Sequence, residues 1–218
     1  MSSSKQLPGL KTLKKQYIQK PYDTIVDVYF KKHFDEKEFD KYVNMFASLL
    51  SNKAKVLDAG CGPGGETKKL RNKGFNVIGI DISEKMLEKA RQLVPNGNFK
   101  YMDIMALDFP NKYFDGIWSA RTLIHIPTEH LKKTIAGFKK VLKPNGIICL
   151  IVLGGKGEGI KREYYDPTGK TSCFFKYFQK GEIDKILEKI GFTVLQSDSF
   201  TMGKDKEPYF TTIAKRLI

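Results

Sequence analysis

The sequence predicts an α/β fold: a doubly wound, mostly parallel sheet with helices on both faces. Two observations support this fold. Short strand-like runs alternate with amphipathic helical stretches from about residue 54 to the end, which is the pattern of βαβ units. The strand-like runs are apolar throughout, as in GIICLIVL, and strands that are buried on both faces have this composition. Right-handed crossovers then place helices on either side of the sheet.

The predicted elements follow one another in a regular order. Residues 1–12 are expected to be weakly ordered, and residues 14–50 repeat apolar positions three or four apart, which predicts one to three helices. Gly74 closes the first helix after the glycine loop, Ser83 caps the second and Pro127 begins the third. The order is strand AKVLDAG, helix GETKKLRNKG, strand FNVIGID, helix SEKMLEKARQLV, strands NFKYMD and YFDGIWSA, helix PTEHLKKTIAGFKKVL, strand GIICLIVL, helix GEIDKILEKI, and strands FTVLQSDSF and PYFTTIAKRL.

The composition is that of one globular unit of 218 residues. No apolar run reaches the roughly 20 residues that span a bilayer, and the N-terminus lacks the apolar region of a secretory signal, so we expect no membrane partner. The three cysteines lie far apart without metal-ligand spacing, so we expect no metal and a reduced, cytoplasmic setting. The net charge of +14 leaves contact with nucleic acid open.

Acidic side chains stand at the ends of the first three predicted strands, at Asp58, Asp81 and Asp103. Because the carboxyl ends of parallel strands meet at one edge of the sheet, we expect these acids to share a ligand site. The glycines of VLDAGCGPGG allow the backbone to approach that ligand closely. The same loop satisfies GxGxxG, which dinucleotide-binding enzymes share, so an NAD-dependent oxidoreductase stays open as an alternative.

An adenosyl ligand without phosphates suits these acids better than a dinucleotide does. Asp58 would place negative charge beside a pyrophosphate, whereas it suits a cationic amino group and a sulfonium. Asp81 is placed to accept hydrogen bonds from two vicinal ribose hydroxyls, and Asp103 to accept one from an adenine amino group. The adenine ring would then lie against Ile82, Met86 and Ile104.

These motifs together resemble those of the class I S-adenosylmethionine-dependent methyltransferases. VLDAGCGPGG resembles the first motif of that family, VIGIDIS the second and YMDIMALDFP the third, and the likeness covers residues 56–150. It implies a seven-stranded sheet in the order 3-2-1-4-5-7-6 with strand 7 antiparallel. YDTIVDVYF resembles the lid helix of many relatives, so the likeness implies a helical lid, residues 1–50, in one unit with a Rossmann-like domain, residues 51–218.

The resemblance also implies the cofactor and its site. The cofactor would be S-adenosyl-L-methionine and the product S-adenosyl-L-homocysteine, with the glycine loop beside the methionine part. The segment MALDFPNK departs from the family pattern, because it is too short for the usual helix between the third and fourth strands. The implied cofactor-binding residues are Tyr22, Tyr29, Asp58, Gly60, Cys61, Gly62, Gly64, Asp81, Ile82, Met86, Asp103, Ile104 and Ser119.

Candidates for contact with the methyl acceptor follow the fourth and fifth strands. An amine needs only to arrive neutral, whereas a hydroxyl usually needs a base. His125 in RTLIHIP is the candidate base, with a packing role as the alternative. Arg121 is a candidate for holding an anionic group, and Glu158 for a cationic one, with ordinary surface positions as alternatives. His33 is expected on a helix surface.

The long segment 154–178 connects the fifth strand to the next helix and is rich in aromatic residues. A connection of this length indicates function or mobility. Its rings would line the acceptor pocket, stack on bases or bury the segment against the sheet. Tyr164 and Tyr165 are the candidates for contact with the acceptor.

We therefore predict a methyltransferase that acts on an O or N atom of a small molecule. The first alternative is a tRNA-modifying methyltransferase that uses the basic surface. The second, from another class, is a catalytically silent adenosyl-binding subunit that serves a partner, because motifs indicate binding and not turnover. The sequence leaves the acceptor and the oligomeric state undetermined.

Overall fold

The computed structural model describes residues 7–162, 165–166, 168–202 and 208–218. Its strands are β1 (Lys55–Ala59), β2 (Asn76–Asp81), β3 (Asn98–Tyr101), β4 (Phe114–Ala120), β5 (Leu142–Leu153), β6 (Glu158–Arg162), β7 (Ser172–Lys176), β8 (Phe192–Phe200) and β9 (Tyr209–Arg216). Its α-helices are α1 (Leu10–Lys14), α2 (Lys20–His33), α3 (Asp40–Ser48), α4 (Gly65–Asn72), α5 (Glu84–Leu93), α6 (Thr128–Val141) and α7 (Glu182–Lys189). Across these ranges, no helix combines the length and the hydropathy needed to cross a membrane.

The main sheet has the order β3-β2-β1-β4-β5-β9-β8. The pairs from β3 through β5 are parallel, and β9 is antiparallel to both of its neighbours. Numbered among these seven strands alone, the order is 3-2-1-4-5-7-6 with strand 7 antiparallel, so the predicted topology is confirmed. The strand order reverses between β1 and β4, and a ligand site is expected outside the carboxyl ends of these two strands.

Both faces of the sheet are buried under helices. In β5, Ile148, Leu150 and Val152 belong to one core, which α6 and α7 close. The alternate residues Ile147, Cys149 and Ile151 belong to a second core, which α3 and α4 close. Successive side chains of a strand point to opposite faces, which explains why this strand is apolar throughout. The two cores fix the strand ends that position the site.

The N-terminal helix is continuous through a wider turn. A π-helical turn, Lys15–Gln19, joins α1 to α2, and Pro21 lies just beyond it. Proline has no N–H for the carbonyl four residues back, and its ring clashes with that carbonyl in a regular α-helix, which accounts for the wider turn. The π-helical turn brings Ile18 to the site described below, and such turns are frequent at functional sites.

The segment 154–178 contains a β-hairpin where the sequence predicted only a long connection. β6 and β7 pair as a separate two-stranded sheet. Cys173, Phe174 and Phe178 are fully buried. These buried residues agree with one of the three interpretations of the aromatic segment, in which its rings bury the segment against the sheet.

Candidate functional site

A cavity of about 680 Å³ opens at the carboxyl ends of the central strands, beside α2 and the π-helical turn. This is the position that the strand order predicts for a ligand. Its wall is formed by Lys14, Ile18, Tyr22, Tyr29, Gly60, Gly62, Asp81, Ile82, Met86, Met102, Asp103, Ile104, Met105, Ala120, Arg121, Thr122, His125 and Ile126.

The structure brings most of the sequence-predicted site residues to this one cavity. Eleven of them line it: Tyr22, Tyr29, Gly60, Gly62, Asp81, Ile82, Met86, Asp103, Ile104, Arg121 and His125. Asp58, Cys61, Gly64, Ser119, Glu158 and Tyr165 are not on its wall. Tyr164 lies outside the residues that the structure describes.

Asp81 is fixed by the backbone of the loops around it. Its Oδ2 accepts the N–H of Gly62 and its Oδ1 accepts the N–H of Ser83, both at 2.9 Å. Burial raises the pKa of this carboxyl, while the two N–H donors act against the rise. Each oxygen of a carboxylate has a further lone pair. Asp81 can therefore accept two hydroxyl donors while it stays held in one orientation.

Asp103 is held from two sides at another part of the cavity. Its Oδ1 accepts the N–H of Met105 at 2.8 Å, and its Oδ2 pairs with Lys14 Nζ at 2.5 Å. Lys14 belongs to the N-terminal helix, so this ion pair closes the cavity from the lid side. The side chains of Ile18, Ile82, Met86, Met102, Ile104 and Met105 give this part an apolar wall.

The glycine loop needs glycine for two different reasons. Gly60 has a φ of +83°, and a Cβ there would lie 2.0 Å from Thr122 Oγ1. Gly62 has a φ of +51° and open space beside it, with Tyr29 Cε1 at 4.0 Å. A side chain at the first position would clash, and at the second it would enter the cavity.

Asp58 lies beneath the loop and not on the cavity wall. It is 2% exposed, and its Oδ2 accepts the hydroxyl of Thr67 at 2.6 Å. Burial raises its pKa to about 8, with the hydrogen bond from Thr67 acting against the rise. The sequence placed a negative charge at this position beside the ligand, whereas the structure gives a buried carboxyl that helps to join β1 to α4.

Three other predicted residues also support the loop from below. Cys61 packs in a small apolar cluster with Ala90 and Phe99. Gly64 begins α4 with a φ of +88°, where a Cβ would press on the same two side chains at 3.2 Å. Ser119 Oγ donates to the carbonyl of Ala59 at 3.1 Å.

Tyr22 and His125 form a hydrogen-bonded pair on the cavity wall. Tyr22 Oη lies 2.7 Å from His125 Nε2, and His125 Nδ1 lies 2.8 Å from the carbonyl of Phe174 in the hairpin. Because a carbonyl only accepts, Nδ1 carries the proton and Nε2 accepts the hydroxyl of Tyr22. Burial lowers the pKa of His125 to about 4. The pair therefore presents a neutral imidazole, in a single tautomer, behind a phenol.

Arg121 directly follows β4 in a left-handed conformation, with a φ of +58°. Its Nη1 lies 2.9 Å from Glu36 Oε2 and 2.8 Å from His33 Nδ1. The prediction that His33 lies on a helix surface is wrong, since it is 5% exposed. The signal that could have found it is its spacing, because it continues the stripe of Ile25 and Tyr29 at every fourth residue.

Glu158 and Tyr165 have other partners. Glu158 Oε2 accepts the N–H and the hydroxyl of Thr128, at 2.9 and 2.7 Å, so this carboxylate caps the start of α6 instead of facing an acceptor in the cavity. Tyr165 packs edge-on against Tyr29 and His33, with ring centroids 5.7 and 5.0 Å apart. Tyr165 thus supports the rings behind Arg121 without lining the cavity.

The chain is similar to methyltransferases in sequence and in structure. Residues 56–146 match the family model of a methyltransferase domain. An uncharacterized methyltransferase of Oceanobacillus iheyensis is 34% identical over 167 residues, which cover 65% of this chain and 77% of that protein. The crystal structure of Burkholderia thailandensis 1,6-didemethyltoxoflavin-N1-methyltransferase, with its substrate and S-adenosylhomocysteine bound, superposes with a TM-score of 0.68. That match is 19% identical and covers 92% of this chain and 91% of the other, so it supports the fold.

Other curated relatives are longer than the matched part of this chain. The 2-methyl-6-phytyl-1,4-hydroquinone methyltransferase of Synechocystis is 39% identical over 101 residues, 44% of this chain and 30% of that protein. The chain likewise spans 39% of the malonyl-[acyl-carrier protein] O-methyltransferase of Enterobacter lignolyticus. The chain therefore spans less than half the length of these two curated relatives.

Proposed function

The chain belongs to the class I S-adenosylmethionine-dependent methyltransferases, and from that premise we propose that it transfers a methyl group to an O or N atom of a small molecule. The observation that carries the proposal is the cavity, whose wall combines two chemically different sets of residues. One set is Asp81 and Asp103 with apolar neighbours, and the other is Tyr22, His125 and Arg121. A single cavity lined by both sets suits an adenosyl group and an acceptor together.

The residues on the wall fit S-adenosylmethionine. Asp81 would accept the ribose hydroxyls, Asp103 would accept the adenine amino group, and Gly60 and Gly62, both on the wall, would lie beside the methionine part. When bound, this cofactor supplies a methyl group on a sulfonium that is transferred by in-line displacement. The protein then has mainly to hold the acceptor at attack distance and to exclude water.

The pair formed by Tyr22 and His125 supplies a route for a proton. Nε2 of His125 accepts the phenolic proton of Tyr22, so a proton passed from an acceptor hydroxyl to the oxygen of Tyr22 can be relayed to Nε2. In this route the acceptor proton moves to Tyr22 as the phenolic proton moves to Nε2, which ends as an imidazolium. For an amine that arrives neutral, the same two groups position the nitrogen and no base is needed.

The first test is calorimetric titration of the full chain with S-adenosylmethionine, S-adenosylhomocysteine and NAD. We expect micromolar binding of the two adenosyl ligands and loss of that binding in Asp81→Ala. Glu84→Gln is the matched control, because Glu84 is an exposed acid three residues on. Binding of NAD in preference to the adenosyl ligands would contradict the proposal and favour the oxidoreductase.

The second test is a screen of acceptors by release of S-adenosylhomocysteine, with small molecules and tRNA assayed side by side. The net charge of +14 is the reason to include tRNA, and an affinity for tRNA that falls steeply with salt would favour the tRNA-modifying alternative. Binding of the cofactor without turnover of any acceptor would favour the silent adenosyl-binding subunit.

A further inference from the structure

Arg121 has a hydrogen-bond donor, Nε, that no group in the described part of the chain accepts. Its side chain is 11% exposed, and the residue belongs to the cavity wall. The Nε atom itself is buried. Buried polar atoms are nearly always paired, so each exception calls for an explanation. Arg121 also holds a left-handed backbone, and strain of this kind clusters at ligand-binding positions.

The protein fixes one edge of the guanidinium and leaves Nε unpaired within the described residues. Glu36 and His33 both bind Nη1, at 2.9 and 2.8 Å. The rings of Phe39 and Tyr29 lie 4.9 and 5.9 Å from Cζ. In any arginine the N–H groups of Nε and Nη2 are parallel and match the two oxygens of a carboxylate. Holding one edge rigidly prepares the other for a bidentate partner.

The charges around Arg121 leave room for one further anion. Glu36 is the carboxylate that directly balances the guanidinium, and its ion pair with Arg121 is buried, with 8% of the Glu36 side chain exposed. Burial lowers the pKa of His33 beside it, which favours the neutral imidazole, while the contact with Glu36 acts against this shift. Glu66 is the other nearby acid, and burial raises its pKa, which favours the uncharged form. Its Oε1 has no hydrogen-bond partner in the described part of the chain.

The position of Arg121 connects this capacity to the acceptor. It lies four residues before His125, and both line the same cavity with Tyr22 and Tyr29. The inference rests on the proposed function. We propose that the methyl acceptor carries a carboxylate, which binds the Nε–Nη2 edge of Arg121. The methylated atom then lies at Tyr22 and His125. The acceptor class is thus a small hydroxy or amino acid with its carboxylate free.

A carboxylate could also come from the methionine part of the cofactor, so the test separates the two sources. Benzoate and benzamide, a charged and a neutral probe of the same shape, are titrated into the full chain saturated with S-adenosylhomocysteine. S-adenosylhomocysteine and methylthioadenosine, which lacks the amino-acid part, are titrated into the same proteins. The variants are Arg121→Met and Arg121→Lys, with Arg91→Met as control, because Arg91 is an exposed arginine paired with Glu84 at 2.7 Å.

We expect benzoate to bind at least tenfold more tightly than benzamide, and Arg121→Met to remove that preference while its affinity for S-adenosylhomocysteine stays within threefold. Arg121→Lys, which keeps the charge and loses the fork, should retain only part of the preference, and Arg91→Met all of it. The proposal is overturned if the unmodified chain binds benzoate and benzamide equally well. The proposal is also overturned if Arg121→Met loses binding of S-adenosylhomocysteine but keeps binding of methylthioadenosine. That result would assign Arg121 to the amino-acid part of the cofactor. Failure to bind either adenosyl ligand would instead reject the proposed function. If Arg121→Met does not fold, the probe preference and Arg121→Lys still decide.

Discussion

Burial favours the neutral form of His125, and this makes the stability of the fold depend on pH even when no ligand is bound. Burial lowers its pKa to about 4, below the value near 6.5 of an unfolded histidine. Between those two values the unfolded chain takes up a proton that the folded chain does not. Stability that is present above pH 6.5 is therefore lost as the pH falls toward 4.

We expect the unfolding free energy to fall by about 2 kcal/mol more in the unmodified chain than in His125→Gln between pH 7 and pH 5. Glutamine keeps one donor and one acceptor but does not titrate. Urea unfolding of both proteins at the two pH values measures the difference. The raised pKa values of Asp58 and Asp81 oppose this trend, but they act in both proteins and cancel. An equal pH dependence in the two proteins would show that His125 is protonated in the fold.

Gly60 is a glycine of the loop at which a side chain has no space. A Cβ there would lie 2.0 Å from Thr122 Oγ1, and φ is +83°. We expect Gly60→Ala to lower the unfolding free energy by about 2–4 kcal/mol, through backbone strain and overpacking together. Gly137→Ala is the control, because no atom lies within 4 Å of its Cβ. It sits in α6, where alanine should raise stability by about 0.5–1 kcal/mol. Chemical denaturation measures both, and effects of equal sign would contradict the packing described here.

At the scale of elements, the N-terminal helix is joined to the sheet domain by polar contacts around the cavity. Lys14 pairs with Asp103, and Asp23 accepts the hydroxyl of Ser83 at 2.6 Å. Lys89 pairs with Asp27 at 2.6 Å. Polar contacts of this kind exchange readily with water, so this helix is the element best suited to open for entry of the cofactor.

We expect Lys14→Met to speed the dissociation of S-adenosylhomocysteine by roughly 3- to 10-fold, because the partly buried pair with Asp103 is worth about 0.5–1.5 kcal/mol. Lys11→Met, on the same helix and exposed, should leave the rate unchanged. Stopped-flow displacement measures both rates. A rate that responds equally to both changes would reflect net charge and not the ion pair.

The sheet elements were predictable because their signals are local. Apolar runs gave the strands, and Ser83 gave the start of α5, where its hydroxyl accepts the N–H of Met86 at 3.1 Å. The pair of Lys14 and Asp103 was not predictable, because its partners are 89 residues apart and neither carries a local signal for the other. The hairpin was missed because its aromatic residues are buried by tertiary contact, which overrides strand and loop propensities.

At the scale of the whole molecule, the cavity wall is built from segments that are distant in sequence. The strand ends supply Asp81 and Asp103, the N-terminal helix supplies Tyr22, and the hairpin fixes His125 through the carbonyl of Phe174. A ligand that fills the cavity therefore contacts both the N-terminal helix and the strand ends of the sheet domain. The prediction that residues 1–50 and 51–218 form one unit can be tested through such a ligand.

We expect a single unfolding transition that S-adenosylhomocysteine shifts as a whole. A ligand that binds only the folded state at 100 times its Kd adds about 2.7 kcal/mol. For a chain of this length that corresponds to a rise in Tm of about 5–11 °C. Calorimetry with and without the ligand measures it, with Asp81→Ala as the control that should not shift. If the N-terminal helix were a separate unit, a second transition at lower temperature would appear, and the ligand would merge it with the main one by closing the helix over the cavity.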